Sequence, residues 1–149
     1  MNIALLLQMA AEACPDRCAL THDGNHYTFG DLYAAAKRAA YHFSTANCRF
    51  VSLLDVSSAA TPIALMGAAI AGVPYVPINY RLSEEQLTPL LDRISPAYLI
   101  SGPRDEIYDF DGWVVQSSDD FLDDVLNGED VEVTWNEDPS AIAVQLFTS

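Results

Sequence analysis

From Val56 to Tyr80 no residue carries a charge, and this run limits the fold more than any other feature. An apolar stretch of that length could span a bilayer. Pro62, Pro74 and Pro77 interrupt it, however, and Gly67 and Gly72 thin it. The helical pattern ends at Gly72-Val73-Pro74, and Tyr75-Val76-Pro77-Ile78 follows with strand character. The run therefore reads as a buried helix, about Ala60 to Ala71, feeding a buried strand, and no transmembrane segment is expected. Such a pair needs a sheet with helices packed on it.

The flanks supply both. Asn2 can cap a first helix running to about Ala13, with Ile3, Leu6, Leu7 and Ala10 on one face and Pro15 ending it. Cys18 to His22 reads as a strand, Asp23-Gly24-Asn25 as a tight turn, and His26-Tyr27-Thr28 as the return. Thr28 and Asp31 have capping-box spacing for an alanine-rich helix to about Thr45, with Leu32, Ala36, Ala39 and Phe43 inward. Phe50 to Leu54 is a continuous apolar strand. Ser83 and Gln86 repeat the capping signal for a helix to Ile94, which Ser95-Pro96 breaks. Tyr98 to Ile100 and Trp113 to Val115 read as short buried strands. Ser118 caps a helix to about Asn127, with Phe121, Leu122, Val125 and Leu126 inward. Ala141 to Phe147 reads as a last buried strand. Strands alternating with helices predict an α/β fold: a mostly parallel, helix-covered sheet, with a small hairpin near the N-terminus.

Charge divides the 149 residues unevenly. Residues 1–104 hold all seven bases and eight acids, whereas residues 105–149 hold thirteen acids and no base. The acidic segment 105–138 sits on an otherwise near-neutral body, and nothing offers the basic face that nucleic acid requires. Cys14, Cys18 and Cys48 lack a second cluster at zinc-ligand spacing, so they read as reduced thiols of a cytoplasmic protein.

Residue chemistry alone offers little catalysis. His22 and His26 flank a turn rather than sharing a helix face, and His42 suits a helix C-terminus. Asp119, Asp120, Asp123 and Asp124 read as a solvated face near a helix start. Asp109-Phe110-Asp111-Gly112 matches a calcium loop only in part. Gly67 and Gly72 have the spacing of a phosphate-loop pair, but Val73-Pro74 replaces the needed Lys-Ser/Thr. No metal site and no catalytic residue are expected. The end of the chain differs. Ligands of open α/β sheets bind beyond the carboxyl ends of strands, and the hydroxyls of Thr148 and Ser149 follow the last strand and suit phosphate oxygens.

Several segments, in order, resemble the N-terminal part of the adenylate-forming (AMP-binding) enzymes, which include acyl-CoA synthetases, amino-acid adenylation domains and luciferases. Pro15-Asp16-Arg17-Cys18-Ala19-Leu20 and Tyr27-Thr28-Phe29-Gly30-Asp31-Leu32 resemble the family's opening. The stretch from Ala69 to Asn79 resembles its "A-AGA-YVP-N" core, and Arg81 to Leu87 its next helix. Asp138-Pro139-Ser140-Ala141-Ile142-Ala143 with Phe147-Thr148-Ser149 resembles the approach to "TSGTTG-PK". The resemblance implies that residues 1–149 form the N-terminal part of the large AMP-binding domain and stop at the start of its phosphate-binding loop. It places Thr148 and Ser149 at the ATP phosphates. It implies ATP, Mg²⁺ and CoA as cofactors of a longer enzyme. That enzyme joins a carboxylic acid to ATP, giving acyl-adenylate and pyrophosphate, then passes the acyl group to CoA.

"VPINYRLSEEQL" reads most like synthetases acting on fatty or aromatic acids. An amino-acid-activating domain and a small non-catalytic α/β binding module are the alternatives. The 149 residues alone are expected to be inactive. They are also expected to self-associate, since a sheet that ends without its covering helix leaves apolar area and a strand edge bare.

Overall fold

The computed structural model describes residues 1–103 and 110–147. The elements in order are α1 (Ala4–Ala13), β1 (Cys18–His22), β2 (Asn25–Thr28), α2 (Phe29–Thr45), β3 (Phe50–Leu54) and α3 (Ala60–Ala71). Then come β4 (Tyr75–Pro77), α4 (Glu84–Arg93), β5 (Ala97–Ser101), β6 (Val114–Ser117) and α5 (Ser118–Asn127). β1 and β2 form an antiparallel hairpin. β4-β3-β5-β6 form a four-stranded sheet, parallel throughout. The fold is the α/β class that the alternation of elements predicts.

Local chemistry sets the boundaries. Asp23 and Gly24 both take positive φ, 49° and 77°, which is what the tight hairpin turn demands. At the start of α2, Thr28 Oγ1 accepts from Asp31 N (3.1 Å) and Asp31 Oδ2 accepts from Thr28 N (2.9 Å), closing the capping box. Gly72 ends α3 at φ 74°, a left-handed turn that costs glycine little. At α4, Gln86 Oε1 accepts from Ser83 N (3.2 Å).

The strands sort their side chains by the two-residue period of the pleat. Val51, Leu53, Tyr75, Tyr98 and Ile100 face one core, built with α1, α2, α3 and α5. Phe50, Leu54, Val76, Ala97 and Leu99 face a second, against Leu87, Leu91 and Ile94 near α4. Phe43 anchors the first core, stacked on Phe121 (6.1 Å) and edge-on to Tyr98 (4.9 Å). Each such large buried side chain contributes about 1.5–3 kcal/mol. α2 and α3 approach closely because Gly67 lies against Ala39: a Cβ on Gly67 would sit 2.7 Å from the Ala39 Cβ.

The structure corrects four details. First, α1 buries Ala4, Leu7 and Ala11, whereas Leu6 is 60% exposed. α1 is apolar on most sides, so periodicity alone does not choose its face; small residues at positions 4 and 11 let it sit close to its neighbours. Second, β6 starts at Val114, and Val114 and Val115 are each 38% exposed. It is the outermost strand rather than a buried one, while Trp113 packs on the α4 side and donates to Ser95 Oγ (3.0 Å). Third, Ser117 rather than Ser118 caps α5, its Oγ accepting from Asp120 N (3.0 Å). Fourth, residues 141–147 are not a buried strand. Among the described residues their one ladder contact with the sheet is a parallel bridge between Val144 and Tyr75, and Ile142 (55%) and Leu146 (71%) face outward. The short β4 offers that segment few backbone partners.

Candidate functional site

The four parallel strands end together, at Leu54, Pro77, Ser101 and Ser117. The chain leaves β3 for β4 on one side and then crosses to β5 on the other, so the order reverses between β3 and β5. Open parallel sheets hold ligands at such a point, beyond the strand ends. There the Asp55–Ser58 turn leads into α3, with Val56 N donating to Asp55 Oδ1 (2.7 Å) and Ala60 N to Ser58 Oγ (3.2 Å). Gly102 N donates to Leu54 O (3.1 Å). The Asp55 carboxylate lies against Gly102, in space that a Cβ there would occupy.

The second part of the region is the outer edge of β4. Tyr75 N donates to Ala143 O (2.9 Å), and Gln145 N donates to Tyr75 O (2.9 Å). Beyond Gln145 the chain leaves the ladder. Phe147 turns onto the α4 side, edge-on to Phe50 (6.4 Å) and beneath the Arg93 guanidinium (4.6 Å). A cleft of about 460 Å³ opens there, lined by Asn79, Leu82, Leu90, Arg93 and Phe147 among others. Thr148 and Ser149, the residues that the sequence assigns to the phosphates, lie outside the described residues, as does Asp109.

Residues 128–140 carry the chain from α5 to this edge. Arg38 of α2 holds the start of that path. Its guanidinium donates to Val125 O (2.9 Å), Glu129 O (3.0 Å) and Asp130 Oδ1 (2.8 Å). Trp135 packs near Tyr33 (6.5 Å between rings), and Asn136 N donates to Ile70 O (2.9 Å). Sequence reasoning passed over Arg38 and Asn136 because their partners lie far along the chain. The turn composition of Asn136-Glu137-Asp138-Pro139-Ser140 was a usable signal.

The other singled-out residues fall into place separately. His26 Nδ1 shares a hydrogen bond with Thr21 Oγ1 (2.8 Å), and His22 lies 3.7 Å from the Asp23 carboxylate, both on the hairpin surface. His42, Asp123 and Asp124 meet at a cleft of about 370 Å³ between α2 and α5. Among the described residues no cluster of three or more His, Cys, Asp or Glu is placed to hold a metal. Gly67 and Gly72 serve packing and helix termination.

Ionisation follows burial. Burial pushes the Tyr75 phenol up to about 12. It does the same to Tyr98, also to about 12, with the nearby Asp124 and Cys48 adding to the effect. Burial raises the Cys48 thiol too, the opposite of what activates a cysteine nucleophile. The hydrogen bonds from Ser140 hold the Asp138 carboxyl below its ordinary value.

A helix-covered parallel sheet, with the segment from Ser140 onward brought to the outer edge of β4, defines an α/β scaffold. The family model described as AMP-binding enzyme matches residues 7–149, and the chain belongs to that family. A curated relative, the medium/long-chain-fatty-acid–CoA/3-oxocholest-4-en-26-oate–CoA ligase of Mycolicibacterium smegmatis, is 31% identical over 107 residues, 70% of this chain and 19% of the ligase. The chain thus spans about a fifth of that relative's length.

Among solved structures, the N-terminal domain of FACL13 from Mycobacterium tuberculosis matches with a TM-score of 0.85 at 21% identity, covering 100% of this chain and 42% of that one. The nonribosomal peptide synthetase FmoA3 matches equally well in shape, with a TM-score of 0.85 at 20% identity, over 100% of this chain and 16% of its own. These likenesses show the fold of the N-terminal domain of adenylate-forming enzymes. Among the described residues no helix is long and apolar enough to cross a membrane.

Proposed function

We propose that this chain is the N-terminal part of an ATP-dependent acid–thiol ligase acting on a fatty or aromatic carboxylic acid. In this reading the whole enzyme joins the acid to ATP, releases pyrophosphate and passes the acyl group from the adenylate to CoA. In it Thr148 and Ser149 begin the loop that grips the ATP phosphates, and a bound Mg²⁺ would supply positive charge to the pyrophosphate as it leaves. The sheet supplies a rigid base from which that loop is positioned. The single observation that supports this most is the 31% identity to a fatty-acid–CoA ligase across 70% of the chain. The enzyme works in the cytoplasm, and the 149 residues alone are inactive and self-associate.

An amino-acid-activating domain is the second reading, favoured by the equal likeness in shape to a nonribosomal peptide synthetase. Acid-dependent ATP–pyrophosphate turnover separates the two. The product of the complete gene should respond to fatty or aromatic acids and not to amino acids. A response confined to amino acids selects the second reading, and no response to any acid selects a non-catalytic module.

A further inference from the structure

We propose that Asp138 is a positioning residue: with Asn136 and Ser140 it builds the turn that fixes where residues 141–147 meet β4, and so where the chain enters Thr148 and Ser149. The catalytic consequence rests on the proposed function; the placement of the segment does not.

Residues 128–140 contain no helix or strand, so some other device must set the register at β4. The side chains provide it in series. Asn136 Oδ1 accepts from Asp138 N (2.9 Å). Asp138 Oδ1 then accepts from both Ser140 N (2.8 Å) and Ser140 Oγ (2.7 Å). Ala141 N closes the turn on Asp138 O (3.2 Å). Such bonds from Asn, Asp and Ser replace the backbone pairing of regular structure. Pro139, with its fixed φ, removes slack between them.

The turn is pinned at both ends to one rigid unit. Upstream, Asn136 N donates to Ile70 O, and the Asn136 side chain lies over Gly72, where a Cβ would fall 1.9 Å from its Nδ2. Downstream, Tyr75 holds Ala143 and Gln145. Both anchors therefore lie at the junction of α3 and β4. A turn of fixed length between them permits one register. A slip of one residue would exchange the set Ile142, Val144 and Leu146 for Ala143, Gln145 and Phe147 on each face. It would also remove Phe147 from Phe50 and Arg93. The lowered carboxyl of Asp138 agrees with an ionised acceptor serving two donors.

The test compares Asp138→Ala with Asp138→Asn, which keeps an acceptor oxygen. In the 149-residue chain, amide protection of Tyr75 and Gln145 should fall roughly tenfold in D138A, the effect of losing one net hydrogen bond. It should stay close to wild type in D138N, with β3 and β5 amides unchanged in both. In the product of the complete gene, D138A should raise KM for ATP roughly tenfold with a smaller change in kcat, and D138N should restore it. Unchanged protection at Tyr75 and Gln145 in D138A overturns the positioning role. So does a loss spread equally over β3 and β5, or an asparagine variant as damaging as alanine. Normal ATP kinetics in D138A despite lost protection overturns the catalytic consequence. If the wild-type gene product turns over no pyrophosphate with any acid, the proposed function fails, and amide protection alone decides the role of Asp138.

Discussion

At Gly67 the absent Cβ is what lets α2 and α3 touch, since the Ala39 Cβ and the Ala36 carbonyl oxygen would lie 2.7 and 3.0 Å from it. Alanine there gains about 1 kcal/mol of helix propensity but must push two helices apart. Overpacking of this kind costs about 1–3 kcal/mol, so Gly67→Ala should lower the urea midpoint rather than raise it. Arg38 acts at the same scale. Arg38→Ala leaves two carbonyls without their donor and should cost about 1–3 kcal/mol, with Arg38→Lys recovering only part because a lysine lacks the planar fork. Urea unfolding followed by tryptophan emission measures both.

The buried phenols give a pH signature. Tyr75 and Tyr98 titrate near 12 in the folded chain, against about 10 when unfolded. Their burial adds stability that is fully present below pH ~10 and is lost as pH rises towards 12. Tyrosinate absorbance should show a late phase that coincides with unfolding, and Tyr75→Phe should shrink it. A single phase near 10 would show both phenols to be open to water.

Among the elements, those with a local chemical cause were legible from sequence. Thr28 with Asp31 marks α2 to the residue, and Phe50–Leu54 and Ala60–Ala71 fall where continuous apolarity and Gly72 place them. Two of the failures, at β6 and at residues 141–147, share one cause: they depend on position in the sheet or on distant partners. Trp113-Val114-Val115 has strand character, but nothing local says that β6 is outermost. Ala141–Phe147 has the composition of a core strand, yet only Tyr75 is there to pair with it. The sequence assigns Thr148 and Ser149 to the site, and these lie outside the described residues, while Arg38 and Asn136 gained meaning from contacts across the fold. The capping residue of α5 is a direct check at this scale. Ser117→Ala should destabilise by about 1 kcal/mol, while Ser118→Ala should be neutral or mildly stabilising. Ser118 Oγ is buried with no hydrogen-bond partner among the described residues, so removing it forfeits nothing. Equal losses from the two would refute the assignment of the cap.

Across the whole molecule, the charge of −14 and the exposed apolar edge act in opposite directions. The acids fall mostly after residue 104, whereas Ile142, Val144 and Leu146 present an alternating apolar row beside β4. Exposed edges of this kind recruit a further strand, and charge repulsion between copies is screened by salt. Light scattering on the 149-residue chain should therefore show association that strengthens as salt is added, and a monomer at high protein and salt concentration would contradict it.

The most direct test of the proposed ligase reading is the identity of the product. The complete gene product, incubated with ATP, Mg²⁺, CoA and a medium- or long-chain fatty or aromatic acid, should yield the acyl-CoA thioester together with AMP and pyrophosphate, detected by mass. An acyl-adenylate that forms but is never passed to CoA, or adenylation of amino acids alone, would contradict an acid–thiol ligase.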